Sequence, residues 1–473
     1  MEPRKPGRAT AWLLPDLALA LALFTLFYAL AFYRAPEQLF RDSDTGWHIR
    51  TGERLLREWT VPRVDTYSFA KPGEPWFAWA WAADAAMGLA HQNGALAGVV
   101  LLYLAAIALC SWLWVRLHWA AGSNFWFVCI LASPMLTAAQ LHWLARPHVF
   151  GWVWLLMALL LLESGRMRWW IALALSIVWA NTHGSFFLLP VLCLIYGVQW
   201  PVLGAAAIGS IVNPYGWQLH LHLVRYLSNT ELLSRIAEFQ SFNFHSEGAW
   251  QIGALILIAM AGLISALACG QWRRACVLLL LCAMGLRSAR GLPVLALAGL
   301  PLAAGALTAA LSRWPYWPAQ GQAALDYGER LRLLQVPLNG WLLGAMSVAV
   351  IVLAVLGSKP GFPANEFPVE AAVHLPFGGK LLAPDKYGGY LIYHFDGARK
   401  VYFDGRSDYY GAPFLKEYVD FVELRPGWEN TLNKYGFTHA LLPLRYSLTA
   451  ALEKQGWRKV YSDPTSVLLE RNF

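Results

Sequence analysis

The stretch LALALALFTLFYALAFYRAPEQLFRDSDTGWHIRTG (17–52) sets an apolar run directly against a cluster holding two aspartates, a histidine and arginines. From Ala11 to Tyr33 the run is long enough to cross a bilayer, for which roughly 20 residues suffice. It is longer than the apolar core of a cleaved signal peptide, about 7–15 residues. With the basic MEPRKPGR (1–8) ahead of it, it reads as an uncleaved signal anchor. A polar cluster placed at the mouth of such a helix needs a reason.

The rest of the chain confirms the membrane reading. Of 473 residues, 57% are hydrophobic and only 14% charged, where a soluble domain carries about a quarter. Apolar runs and turn signals predict eleven helices, near 11–33, 95–115, 124–141, 147–163, 169–182, 185–199, 200–212, 250–269, 275–287, 291–311 and 341–357. The net charge of +8 does not point to nucleic acid, because no basic face is interleaved with base-stacking aromatics. The excess sits between apolar runs, at Arg4, Lys5 and Arg8, at Arg116, at Arg166 and Arg168, at Arg273 and Arg274, and at Arg313, Arg330 and Arg332. Basic loops face the cytoplasm. With the N-terminus inside, strict alternation puts every one of those loops on the cytoplasmic side.

The other connections then all face out: 34–94, HWLARPH (142–148), NTHGS (181–185), 213–248, RSARG (287–291), and everything after 358. They hold nearly all the histidine of the membrane half. Polar groups held at membrane depth point into a cavity or the bundle interior, and their shared sidedness favours a common cavity over separate interfacial anchors. Within 34–94, VPRVDTYSFAKPGEPW (61–76) is rich in proline and reads as irregular. WFAWAWAADAAMGLA (76–90) reads as a helix lying in the interface. The six cysteines lie in or beside apolar runs without zinc spacing, and the 25 tryptophans fit interfacial belts.

Beyond 358 the composition becomes that of a soluble α/β unit. KLLAPDKYGGYLIYHF (380–395) and RKVYFDGR (399–406) read as short strands broken by glycine. APFLKEYVDFVELRPGWENTLNKYG (412–436) predicts one or two amphipathic helices capped at Gly436. THALLP (438–443) predicts a strand, SLTAALEKQG (447–456) a helix, and RKVYSDPTSVLLERN (458–472) a hairpin. The expected organisation is therefore a helical membrane domain (1–357) and an extracytoplasmic α/β domain (358–473) lying over the opening cluster.

Chemistry is expected from two sets of residues. Asp42 and Asp44 can jointly hold a divalent cation (Mg or Mn), or one of them can act as a general base, with His48 beside them; capping of the following helix accounts for only one of the pair. Arg287 and Arg290 offer forked donors suited to phosphate, and Arg146, His148 and His183 extend a basic wall; headgroup snorkelling is the competing explanation for each arginine. Asp404, Arg406 and Asp408 in FDGRSD read as an internal salt-bridge cluster. No phosphate-binding P-loop, nucleophile elbow or HExxH helix is present.

RDSDTGWHIRTGERLLREWTVPRVDTYSFAKPGEPW (41–76) resembles the first outer loop of bacterial membrane proteins related to the C-type (GT-C) glycosyltransferases, whose hallmark is an acidic motif after the first membrane helix. The resemblance extends to RPHVFGWVW (146–154), NTHGSFFLLP (181–190), NPYGWQLHL (213–221), EFQSFNFH (238–245), RSARGLPVLAL (287–297) and the KYGGYLI and KVYFDGRSDYYG segments. It implies a multi-pass protein of the bacterial inner membrane and an inverting sugar transfer on the extracytoplasmic face. The donor would be a polyprenyl-phosphate sugar and the acceptor a glycan, lipid or protein. Asp42 or Asp44 would then be the base or the metal-adjacent acid, with the arginines and His183 near the lipid phosphate. One departure stands out: relatives carry a His–Glu pair where this chain has Trp79 and Ala80. That leaves open a non-catalytic envelope scaffold. A transporter is disfavoured by the absence of an internal repeat.

Overall fold

A computed structural model of the chain describes residues 8–472. All eleven expected helices are present among them. Five are long and apolar enough to cross a bilayer: Thr10–Ala31, Trp81–Ala120, Phe125–His142, Ala249–Ala268 and Gly291–Arg313. Shorter apolar helices cover His148–Glu163, Trp169–Thr182, Gly184–Tyr196, Trp200–Ile211 and Trp341–Gly357, and Trp272–Arg287 completes the set. The protein is a multi-pass membrane protein. Helices in lipid gain from close backbone approach, and the sequence supplies it with small residues. A Cβ on Gly262 would lie 2.3 Å from that of Ala303, and one on Gly305 2.3 Å from the Ala121 carbonyl oxygen.

The 40-residue helix Trp81–Ala120 is broken at Gly94 and Ala95, where Ala95 adopts φ 47°. The break separates the short amphipathic part foreseen from sequence from the membrane span proper. Ahead of it, helix Asp44–Glu58 packs against the first part of Trp81–Ala120 through a glycine pair. A Cβ on Gly52 would lie 1.7 Å from the Asp84 carbonyl oxygen, and one on Gly88 2.4 Å from the Glu53 nitrogen.

Past residue 358 the chain forms a four-stranded mixed sheet from β1 (Leu381–Leu382), β2 (His439–Pro443), β3 (Arg458–Ser462) and β4 (Ser466–Glu470), in the order β1-β2-β4-β3. β1 runs parallel to β2, while β2–β4 and β3–β4 are antiparallel. The expected hairpin, the strand at 438–443, the helices and the Gly436 terminus all form. Two expectations are corrected. DKYGGYLIYH is helix Asp385–His394, not strand, and RKVYFDGR contributes only an isolated bridge between Val401 and Ser68.

The glycines explain the first correction: they mark contacts, not strand punctuation. A Cβ on Gly388 would lie 2.1 Å from the Phe403 carbonyl oxygen, and one on Gly389 2.1 Å from that of Ser43. Helix Asp385–His394 thus rests directly on the start of helix Asp44–Glu58. Arg50 clamps the contact, donating from Nε and Nη2 to the Tyr393 carbonyl at 3.0 and 2.8 Å. A second lock is Arg406, wholly buried, paired with Asp65 and with Asp404 at 2.7 Å each and lying 4.8 Å from the Trp76 ring. The FDGRSD cluster is therefore split: Asp404 and Arg406 pair with each other, while Asp408 pairs with His222 at 3.1 Å.

Candidate active site

Three connections meet at the Arg146 guanidinium, and a fourth joins them through Glu238. Helix Asp44–Glu58 begins beneath the C-terminal domain, and the Asp44 N–H donates to Asp42 Oδ1 at 2.8 Å, while the N-cap residue Ser43 makes no side-chain cap bond. The second connection is held alongside: Ala145 N–H donates to the Leu39 carbonyl at 2.9 Å and Thr45 Oγ1 donates to the Ala145 carbonyl at 3.0 Å. This fixes Arg146. Its Nη1 donates to Asp42 Oδ2 at 2.8 Å and to Glu238 Oε1 at 3.1 Å, and its Nη2 pairs with Asp44 Oδ2 at 2.8 Å. The other Glu238 oxygen pairs with Arg290, whose guanidinium lies 4.7 Å from the Phe239 ring centre. The Arg290 loop is tied down by Ala289 N–H donating to the Gln240 carbonyl at 2.8 Å.

Three carboxylates thus face two guanidiniums, leaving an excess of negative charge. Burial pushes the Asp44 carboxyl up to about 7, against the pull of Arg146 and with a push from Asp42. Burial also raises Glu238, but Arg146 and Arg290 outweigh it and hold that carboxyl below its ordinary value. A backbone gap accommodates Asp44: a Cβ on Gly405 would lie 1.9 Å from its Oδ1, which also accepts from Trp47 Nε1 at 3.1 Å. His48 is buried and stacked on Trp47 at 3.6 Å. Burial and then Arg146 hold its pKa well below the ordinary value. Its Nδ1 lies 2.5 Å from Asp84 Oδ1.

The remaining expected residues sort unevenly. His183 lies within electrostatic reach of Arg290, Arg146 and His48, though its Nδ1 engages the Ser185 hydroxyl at 2.7 Å. His148 turns to the His142 carbonyl, with Nε2 at 2.7 Å. Arg287 stands apart: its side chain is exposed and forms no ion pair among the described residues. Glu238 and Asp84 join the cluster without having been singled out. Each is an isolated acid in its segment, so only the fold could bring them in. Trp79, at the departure from the related pattern, is edge-on to His222 and Tyr226 at 5.6 and 6.0 Å.

The divalent-cation expectation does not fit this donor set. The carboxylate oxygens that would bind the ion are taken by Arg146, Trp47 and the Asp44 N–H. Among the described residues no group of three or more His, Cys, Asp or Glu could hold a metal ion.

A bundle of apolar helices with its polar connections gathered at one end, beneath a small C-terminal sheet domain, is a GT-C-like fold. Among solved structures, the apo Archaeoglobus fulgidus oligosaccharyltransferase superposes with TM-score 0.55 at 10% identity, covering 90% of this chain and 69% of that one. ArnT from Cupriavidus metallidurans, also apo, gives TM-score 0.44 at 15% identity, covering 96% and 97%. No protein-family model and no curated protein matches the sequence.

Proposed function

We propose that the protein is a membrane glycosyltransferase that moves a sugar from a polyprenyl-phosphate carrier to an acceptor hydroxyl on the extracytoplasmic face of the bacterial inner membrane, with inversion. The N-terminus lies in the cytoplasm and residues 358–473 form the extracytoplasmic domain. The observation that carries this reading is the convergence of Asp42, Asp44, Arg146, Glu238 and Arg290 from four separate connections in a GT-C-like fold.

In this scheme Asp42, the more exposed of the two aspartates, takes the acceptor proton. The acceptor oxygen bonds to the anomeric carbon as the bond from that carbon to the phosphate oxygen breaks. The electron pair leaves with the phosphate. Arg290, whose side chain is 35% exposed, receives that charge through the donors Glu238 does not use, since oriented guanidiniums stabilise charge that develops in the transition state. Asp44 and Arg146 hold Asp42 in place.

Mass spectrometry of lipids co-purified with the protein should find a polyprenyl-phosphate sugar. Asp42→Asn should then remove the product glycan at unchanged protein level; unaltered glycans in that variant would count against catalysis. A second reading, a non-catalytic scaffold, draws support from the full pairing of the three carboxylates and from Trp79 and Ala80. It expects unchanged glycans and no bound donor.

A further inference from the structure

A second polar constellation lies at the opposite end of the bundle. Helix His148–Glu163 starts beside the carboxylate cluster and ends at Glu163, about 24 Å away at 1.5 Å per residue. There a cleft of about 450 Å³ is lined by Glu163, Tyr196, Gln271, Trp272, Arg273 and Arg274, a volume within the range of small-ligand sites.

The charges in the cleft are arranged unequally. Arg274 is consumed: Nη2 pairs with Glu163 Oε2 at 2.5 Å, Nε donates to both Glu163 oxygens, and Nη1 donates to Gln271 Oε1 at 3.2 Å. The Tyr196 hydroxyl donates to Glu163 Oε1 at 2.5 Å, so the only carboxylate lining the cleft is fully engaged. Arg273, by contrast, is exposed and has no carboxylate partner among the described residues, and the same holds for Arg166 and Arg168 in the turn that follows Glu163. The cleft offers cationic donors, and its one carboxylate is already shared between Arg274 and Tyr196.

Its depth is marked independently. Trp126, Trp169, Trp200 and Trp272 each stand at or next to the first residue of a membrane helix on this same face, and their exposures run from 37% to 81%. Exposed tryptophans at helix ends sit at the headgroup level of a bilayer, and Trp272 is itself part of the cleft wall. Basic pockets between membrane helices at that level bind lipid headgroups.

We propose that this cleft binds the phosphodiester headgroup of an anionic glycerophospholipid, with Arg273 as its principal contact. The saturation of Glu163 selects against choline and ethanolamine lipids. The site is independent of the sugar-transfer reading.

The test is native mass spectrometry of the full-length protein in detergent, titrated with phosphatidylglycerol, phosphatidylcholine or inorganic phosphate. Phosphatidylglycerol should bind in preference to the other two. Arg273→Gln should weaken it about fivefold, the contribution of one arginine near an anionic headgroup. Arg330→Gln, an exposed arginine outside the cleft, should not. Arg273 is exposed and forms no ion pair among the described residues, so its loss leaves no buried charge behind and the variant is expected to fold. Equal uptake of the two lipids, equal effects of Arg273→Gln and Arg330→Gln, or phosphate binding as tight as the lipid would each overturn the proposal.

Discussion

Replacing Arg146 with methionine tests the centre of the cluster most directly. The substitution keeps an unbranched apolar stem and removes the one group that touches Asp42, Asp44 and Glu238 at 2.8, 2.8 and 3.1 Å. Breaking a buried ion pair by deleting one partner costs about 3–5 kcal/mol, and here three carboxylates lose their shared counterion. Asp42 and Asp44 can escape the penalty only by taking up protons, whereas Glu238 keeps Arg290. Asp44 already titrates near 7 with Arg146 in place; without it, the carboxyl moves higher. The destabilisation should therefore be about 4 kcal/mol at pH 7.5 and about 1 kcal/mol less at pH 5, where Asp44 is protonated in both proteins. Unfolding midpoints of both proteins in detergent at the two pH values read this directly. A loss of stability equal at both pH values, or none, would refute the idea that Arg146 is the counterion on which the carboxylates depend.

Three further outcomes follow from the same contacts. The Asp44 carboxyl, raised from 3.8 to about 7, carries more protons folded than unfolded between those values, so its contribution to stability is present at low pH and is lost as pH rises through that window; Asp44→Asn should gain stability over wild type from pH 4 to 7 and no further above, in the same unfolding measurements. Gly46→Ala would place a Cβ 2.1 Å from the Gly389 carbonyl oxygen and should lift the C-terminal domain from the membrane bundle, exposing the 358–380 segment to limited proteolysis. Arg406→Met leaves Asp65 and Asp404 buried without their shared partner; it should cost about 3–5 kcal/mol, recovered in part by the triple variant with Asp65→Asn and Asp404→Asn, and an undiminished melting point would show the lock to be dispensable.

Several local features could be read directly because their causes are local. A span needs a long apolar run, a helix end needs a breaker, and a hairpin needs alternation; 11–33, Gly436 and 458–472 carry those signals in their own residues. DKYGGYLIYH misled for the same reason: tyrosine, leucine and isoleucine favour strands in isolation, and nothing nearby reveals that Gly388 and Gly389 must pass against Phe403 and Ser43. The site divides along the same line. Asp42, Asp44 and His48 are visible as an anomaly beside an apolar run, whereas Glu238 and Asp84 are ordinary acids in their own segments.

The sequence by itself determined that this chain is a membrane helix bundle, that its basic residues gather in alternate connections, and that an unusual polar cluster stands at 40–52. Those follow from transfer energies and periodicity, which each segment carries with it. Only the tertiary structure decided that Arg146 lies between Asp42, Asp44 and Glu238, that Arg290 joins while Arg287 does not, and that Asp84 holds His48. Ion pairing in this cluster depends on separations of a few ångströms between residues up to 104 positions apart, and that distance is set by helix packing, not by any property of the residues that form the pair.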